Sequence, residues 1–117
     1  MAKYSLVNAV VFIIIMIMNF SQAQIPCTTV NNNLLPCASY VMNGGTLPPA
    51  CCDGFKDLVN MAKTQADRQS VCNCVNTFLA NADDGQINNA ASIPSLCGVN
   101  IHFNITRNMD CSKVNLA

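Results

Sequence analysis

The chain has no glutamate, a single histidine, no cluster of lysines or arginines, and no apolar run of membrane-spanning length. Each absence closes off a class of function. Without glutamate there is no Glu-based acid/base pair, and the lone His102 indicates no Ser/His/Asp centre. Without a basic patch nothing tracks a phosphate backbone, so nucleic acid is not an expected partner, and a strong pull towards anionic membranes is equally unsupported. The longest unbroken apolar stretch, Ala9 to Met18, falls well short of the ~20 residues of a spanning helix. Cys72-Asn73-Cys74 lacks the ~2–4-residue gap of a zinc pair, so no metal and no cofactor is called for.

What is present is a leader followed by eight cysteines. Lys3, the apolar run Leu6 to Met18 and the small residues of Ser21-Gln22-Ala23 have the order of a signal peptide, residues 1–23, cut after Ala23. The last residues, Lys113 to Ala117, carry no hydrophobic tail for a lipid anchor. Removing 23 of the 117 residues leaves 94, one domain, with five basic residues against six aspartates. An even cysteine count in a short exported chain reads as a disulfide scaffold. Adjacent helical residues point about 100° apart and residues two apart about 200°, so Cys51 and Cys52 must reach different elements, as must Cys72 and Cys74. Which cysteine pairs with which stays open, since eight allow roughly a hundred connectivities.

The apolar periodicity predicts four short helices. Thr28 or Thr29 caps the first, with Val30, Leu34, Cys37 and Val41 on one face and a bend at Pro36. Pro48-Pro49 opens the second, with Cys51, Phe55, Leu58 and Ala62 on one side. The third carries Val71, Cys74, Val75, Phe78, Leu79 and Ala82 and ends in Asn81 to Gly85. The fourth runs from Ile87 to Ile93, with Ile87, Ala90 and Ala91 inward, and stops near Pro94. Beyond Cys97 the period changes: Ile101, Phe103 and Ile105 alternate with His102 and Asn104, which predicts an extended tail with one face turned inward, laid over the helices.

With these elements, the chain resembles the plant non-specific lipid-transfer proteins, type 1. The resemblance rests on gaps of nine, thirteen, none, nineteen, one, twenty-two and thirteen residues between successive cysteines, on the polar Asn73, and on Thr64-Gln65-Ala66-Asp67-Arg68, which has the family's first pentapeptide pattern. The second pentapeptide, Pro-Tyr-x-Ile-Ser in the family, stands here as His102-Phe103-Asn104-Ile105-Thr106. The resemblance implies an all-α fold, a four-helix disulfide-stapled bundle with an extended C-terminal tail around an internal hydrophobic tunnel. It implies bridges Cys27–Cys74, Cys37–Cys51, Cys52–Cys97 and Cys72–Cys111. It also implies a function without chemistry, carriage of fatty acids, lysolipids or phospholipids by a secreted monomer of the apoplast or cell wall with transient membrane contact.

Arg68 and Phe103 inherit the family's head-group position, although Phe103 has no phenol with which to hydrogen-bond a head group. Arg68 has a plainer reading as a solvated charge in a helix's first turn, and Thr64 with Asp67 reads as a capping box. The wall candidates are Val30, Leu34, Leu58, Val75, Leu79, Ile93, Ile101, Phe103 and Ile105, each of which is equally a candidate core residue. Asn104-Ile105-Thr106 is an N-glycosylation sequon on the outward side of the tail. The rival to lipid carriage is a hydrolase inhibitor or a defence or signalling ligand acting on a protein partner, for which Gly44 to Pro49 is the only loop available; membrane permeabilisation is disfavoured by a net charge of −1 after removal of the leader.

Overall fold

The computed structural model describes residues 6–14 and 24–114. Residues 6–14 are helical and exposed throughout, and the predicted cleavage positions Ser21 to Ala23 lie outside the described residues. The remainder forms α1 (Cys27–Leu34), α2 (Ala38–Asn43), α3 (Pro49–Met61), α4 (Gln65–Leu79) and α5 (Asp84–Leu96), then an irregular tail closed by a 3-10 turn at Cys111–Lys113. Among the described residues there is no strand. All four disulfides implied by the family resemblance are present: Cys27–Cys74, Cys37–Cys51, Cys52–Cys97 and Cys72–Cys111.

α1 and α2 are the expected first helix, divided at Pro36. A proline there has no N–H to donate, and its ring crowds the carbonyl one turn back, so the chain tightens into a 3-10 turn at Leu35–Cys37 before α2 resumes. Neither Thr28 nor Thr29 caps α1. Pro26 occupies the cap, and its carbonyl accepts from Thr29 and Val30, while the Cys27–Cys74 bridge pins the first turn. α2 stops at Gly44, whose φ of +74° suits a residue without Cβ; Gly44 N–H donates to Tyr40 O, and Asn89 Nδ2 donates to the carbonyls of both Tyr40 and Val41 in the same last turn.

α3 begins at Pro49 as expected and buries Cys51, Phe55 and Leu58. It crosses α1 so closely that a Cβ on Gly54 would overlap the backbone oxygen of Asn33. The capping box at α4 is complete: Thr64 Oγ1 accepts from Asp67 N at 3.0 Å and Asp67 Oδ2 accepts from Thr64 N at 3.4 Å. The fourth predicted helix is longer at both ends than its expected Ile87 to Ile93. A second capping box, Asp83 with Gln86, starts it at Asp84, and Pro94 lies inside it. The proline forfeits one backbone bond, but Cys97 N still donates to Ile93 O at 2.9 Å and the helix passes through. Its inner face is Ile87, Ala90, Ile93 and Pro94; Ala91 is exposed, contrary to its expected place.

α1 packs on α3 and α4, and α2 packs on α5. The bridges tie these pairs together. Cys51 reaches the turn after α1 while Cys52 reaches the end of α5, and Cys72 reaches the tail while Cys74 reaches the start of α1. The tail keeps the predicted alternation, with Ile101 buried, Phe103 and Ile105 half-buried, and His102 and Asn104 exposed. It is not one continuous extended segment, because His102 and Asn108 adopt positive φ values of 60° and 55°. His102 N–H is met by Asn100 Oδ1 at 3.0 Å, which supports the turn locally.

Candidate functional site

The helices and tail do not close completely on one another. Between them lies a cavity of about 460 Å³, within the range of roughly 300–1,000 Å³ usual for small-molecule sites. Its wall is built from the inward stripes of the helices and from the tail. α1 contributes Leu34, α3 Leu58, α4 Val75 and Leu79, α5 Ile93, and the tail Ile101, Phe103 and Ile105. These eight apolar wall candidates and Arg68 are therefore brought together.

Val30 is not part of the wall. It is fully buried against Leu58 and Cys74 in a separate packed cluster, because the Cys27–Cys74 bridge draws the first turn of α1 onto α4 and leaves no void there. Conversely, several wall residues were not among the candidates. Phe55 and Phe78 line it too, and the apolar helix faces on which they lie are the signal that could find them. Met109 and Val114 carried no periodic signal, since they reach the cavity only through the course of the tail.

Among the described residues, Arg68 is the one charged group lining the cavity. It sits half-buried in the first turn of α4, directly after the capping pair, so the box that starts the helix also sets where its arginine emerges. Its guanidinium is held over the C-terminal end of α3. Nε donates to Ala62 O at 3.1 Å and Nη2 to Lys63 O at 3.2 Å. Unpaired carbonyls at a helix end favour a cation there. These bonds use two of the five guanidinium N–H groups, and no described residue accepts from Nη1. A guanidinium with spare parallel donors beside an apolar cavity can hold a carboxylate or phosphate while the rest of the ligand lies against hydrocarbon.

Asp67 does not pair with Arg68; its carboxylate is buried in the capping box, which confirms helix initiation as the work of Thr64 and Asp67. Phe103 lies along the wall as an apolar surface. At the rim the apolar side chains of Leu35, Met42 and Phe78 are exposed, 63%, 60% and 44% respectively, although each also lines the cavity. The tail is fastened on its far side by Arg107, whose Nη1 donates to Ala82 O at 2.7 Å and whose Nη2 pairs with Asp84 at 3.1 Å. No group of three or more His, Cys, Asp or Glu side chains among the described residues could hold a metal ion.

Residues 27–111 match the protease inhibitor/seed storage/LTP family. A non-specific lipid-transfer protein of Prunus avium is 42% identical over 107 residues, 91% of this chain and 92% of the relative. One from Gerbera hybrida is 47% identical over 90 residues, 77% of this chain and 78% of the relative. Among solved structures, barley non-specific lipid transfer protein 1 in complex with a lysophosphatidylcholine superposes with a TM-score of 0.72 at 40% identity, covering 78% of this chain and 100% of that one. Wheat non-specific transfer protein complexed with two molecules of phospholipid gives 0.71 at 44% identity, over 77% and 100%. With the eight-cysteine order, the four bridges and the hollow helical fold beside these matches, the chain belongs to the protease inhibitor/seed storage/LTP family, among its type 1 non-specific lipid-transfer proteins.

Proposed function

We propose that this protein is a secreted carrier that takes up fatty acids, lysolipids or phospholipids tail-first and releases them at membranes or the cell wall, without chemistry. The observation that carries the reading is a largely apolar cavity to which, among the described residues, Arg68 alone contributes a charged side chain. Relatives support it, since structures of similar proteins hold lysophosphatidylcholine, phospholipid and palmitate. Arg68 meets the head group, and the wall from Leu34 to Ile105 takes the acyl chain.

Burial of a sixteen-carbon tail is worth about 0.8 kcal/mol per methylene, a gross gain near ~13 kcal/mol relative to water. A bilayer offers nearly the same, so transfer between the two is close to balanced and therefore reversible. The exposed rim of Leu35, Met42 and Phe78 gives a departing tail a path that avoids water. The hollow interior forfeits core contacts, and four bridges offset that loss at roughly 2–4 kcal/mol each. Export fits the exposed apolar helix of residues 6–14, which no longer concerns the mature chain once residues 1–23 are removed.

The protein-partner reading is less well supported. Inhibition by insertion needs a protruding rigid loop, whereas Leu47 of the Gly44 to Pro49 segment packs inward on the core. The deciding experiment is displacement of a fluorescent fatty acid from oxidised residues 24–117, with reduced protein as control. Saturable binding at one or two lipids per chain, lost on reduction, is the expected result. Its absence in correctly oxidised protein would overturn lipid carriage.

A further inference from the structure

The tripeptide Asn104-Ile105-Thr106 contributes only its middle residue to the cavity. Ile105 lines the wall, while Asn104 and Thr106 are both exposed. On one side His102 N–H is engaged by Asn100, and on the other the Arg107 guanidinium is engaged by Ala82 and Asp84. Between these two anchors no described hydrogen bond, side-chain or backbone, involves Asn104 or Thr106. The segment lies outside every helix and is bracketed by the positive-φ residues His102 and Asn108. It is thus an irregular segment with two exposed side chains, whose peptide groups can be grasped without unpairing any secondary structure.

These features are what a protein oligosaccharyltransferase needs: an accessible carboxamide, a hydroxyl two residues on, a residue other than proline between them, and a backbone free to enter a foreign active site. We propose that Asn104 is an N-glycosylation site, loaded during export from a polyprenyl-diphosphate-linked oligosaccharide. Asn104 Nδ2 forms the new bond to the anomeric carbon as the carbon–oxygen bond to the diphosphate breaks. The amide proton passes to a base of the transferase, and the polyprenyl diphosphate departs with the bonding electron pair. No redox step is involved.

The tail's alternation decides where the sugar points. Phe103 and Ile105 face the cavity and Asn104 between them faces solvent, so the oligosaccharide stands on the outer side of the wall and leaves lipid access open. The proposal rests on the export reading, and the test separates the two. The full chain is expressed with its own leader in plant cells, and the protein from the medium is analysed by peptide mass spectrometry before and after a peptide N-glycosidase. The expected result is a heavier peptide spanning position 104 that the enzyme converts to one carrying aspartate there. Asn104→Gln and Thr106→Ala abolish the modification, Thr106→Ser retains it, and all three bind a fluorescent fatty acid within twofold of the unaltered protein. Secreted protein whose Asn104 is bare overturns the glycosylation proposal alone. A chain that keeps residues 1–23 and stays inside the cell overturns the export reading and the proposal with it.

Discussion

The side-chain amide of Asn76 exchanges two hydrogen bonds with the backbone of Met109, donating to its carbonyl at 2.9 Å and accepting from its N–H at 2.8 Å. One amide therefore does for the tail what a neighbouring strand would do. It stands one helical turn beyond Cys72, whose bridge to Cys111 holds the same stretch, and Asn76 Nδ2 also approaches Cys111 Sγ at 3.3 Å. Met109 in turn lines the cavity, so the fastening of the tail and the shape of the binding space are one structural problem.

Replacing Asn76 tests that coupling. Asn76→Ala leaves both backbone groups of Met109 without this partner and should cost about 1–3 kcal/mol in chemical unfolding. Hydrogen exchange should rise from Met109 to Val114 while α1 and α3 keep their protection. Unchanged exchange in the tail would show that the Cys72–Cys111 bridge alone fixes it.

The contact of Gly54 with Asn33 predicts an asymmetry between two helical glycines. Gly54→Ala forces α1 and α3 apart and should destabilise by about 1–3 kcal/mol or more. Gly85→Ala, where the added Cβ would meet only Asp83 Oδ1 at 3.4 Å, should be neutral or stabilising by less than about 1 kcal/mol. Thermal unfolding of the two variants measures the difference, and equal midpoints would contradict the close crossing.

Arg68 serves the ligand and the fold through different N–H groups, and the ligand's own chemistry can separate them. Arg68→Ala should weaken palmitate binding about tenfold, equivalent to ~1.4 kcal/mol, and leave its methyl ester within about twofold. Titration calorimetry with both ligands is the check. Equal losses for acid and ester would mean that Arg68 acts only by bracing Ala62 and Lys63.

Val75 distinguishes a void from a packed core. An indole placed there has free space to enter, so Val75→Trp should keep the helical circular dichroism and lie within about 1 kcal/mol of the parent in stability, while fatty-acid uptake falls at least about tenfold. Loss of folding instead of loss of binding would mean that the space beside Val75 is filled.

Much of the helical framework was legible because its causes are local. The Thr64/Asp67 box, the Pro48-Pro49 entry and the Pro36 bend each depend on groups within a turn of one another. The Asp83/Gln86 box is equally local, but it overlaps the Asn81 to Gly85 turn signal, so the stop of one helix masks the start of α5. Pro94 is a local stop signal that the fold overrides, since a single forfeited bond is small beside the burial of Ile93 and Cys97 and the Cys52–Cys97 bridge. Val30 and Val75 show the limit of periodicity. Both lie on apolar faces, yet one is packed and the other lines a void, because a stripe reports which way a side chain points and not whether atoms meet it there.

By itself, then, the amino-acid order determined the helices, the starts of α3 and α4 and the break at Pro36, and which neighbouring cysteines had to part company; these follow from interactions closed within a few residues. Only the tertiary structure decided that the inward faces stop short of one another, that Arg68 lies across the carbonyl end of α3, and that Met109 comes to rest on Asn76, 33 residues away. A cavity is a property of surfaces that fail to meet, and whether they meet depends on how separate elements are braced against each other, which no single segment encodes.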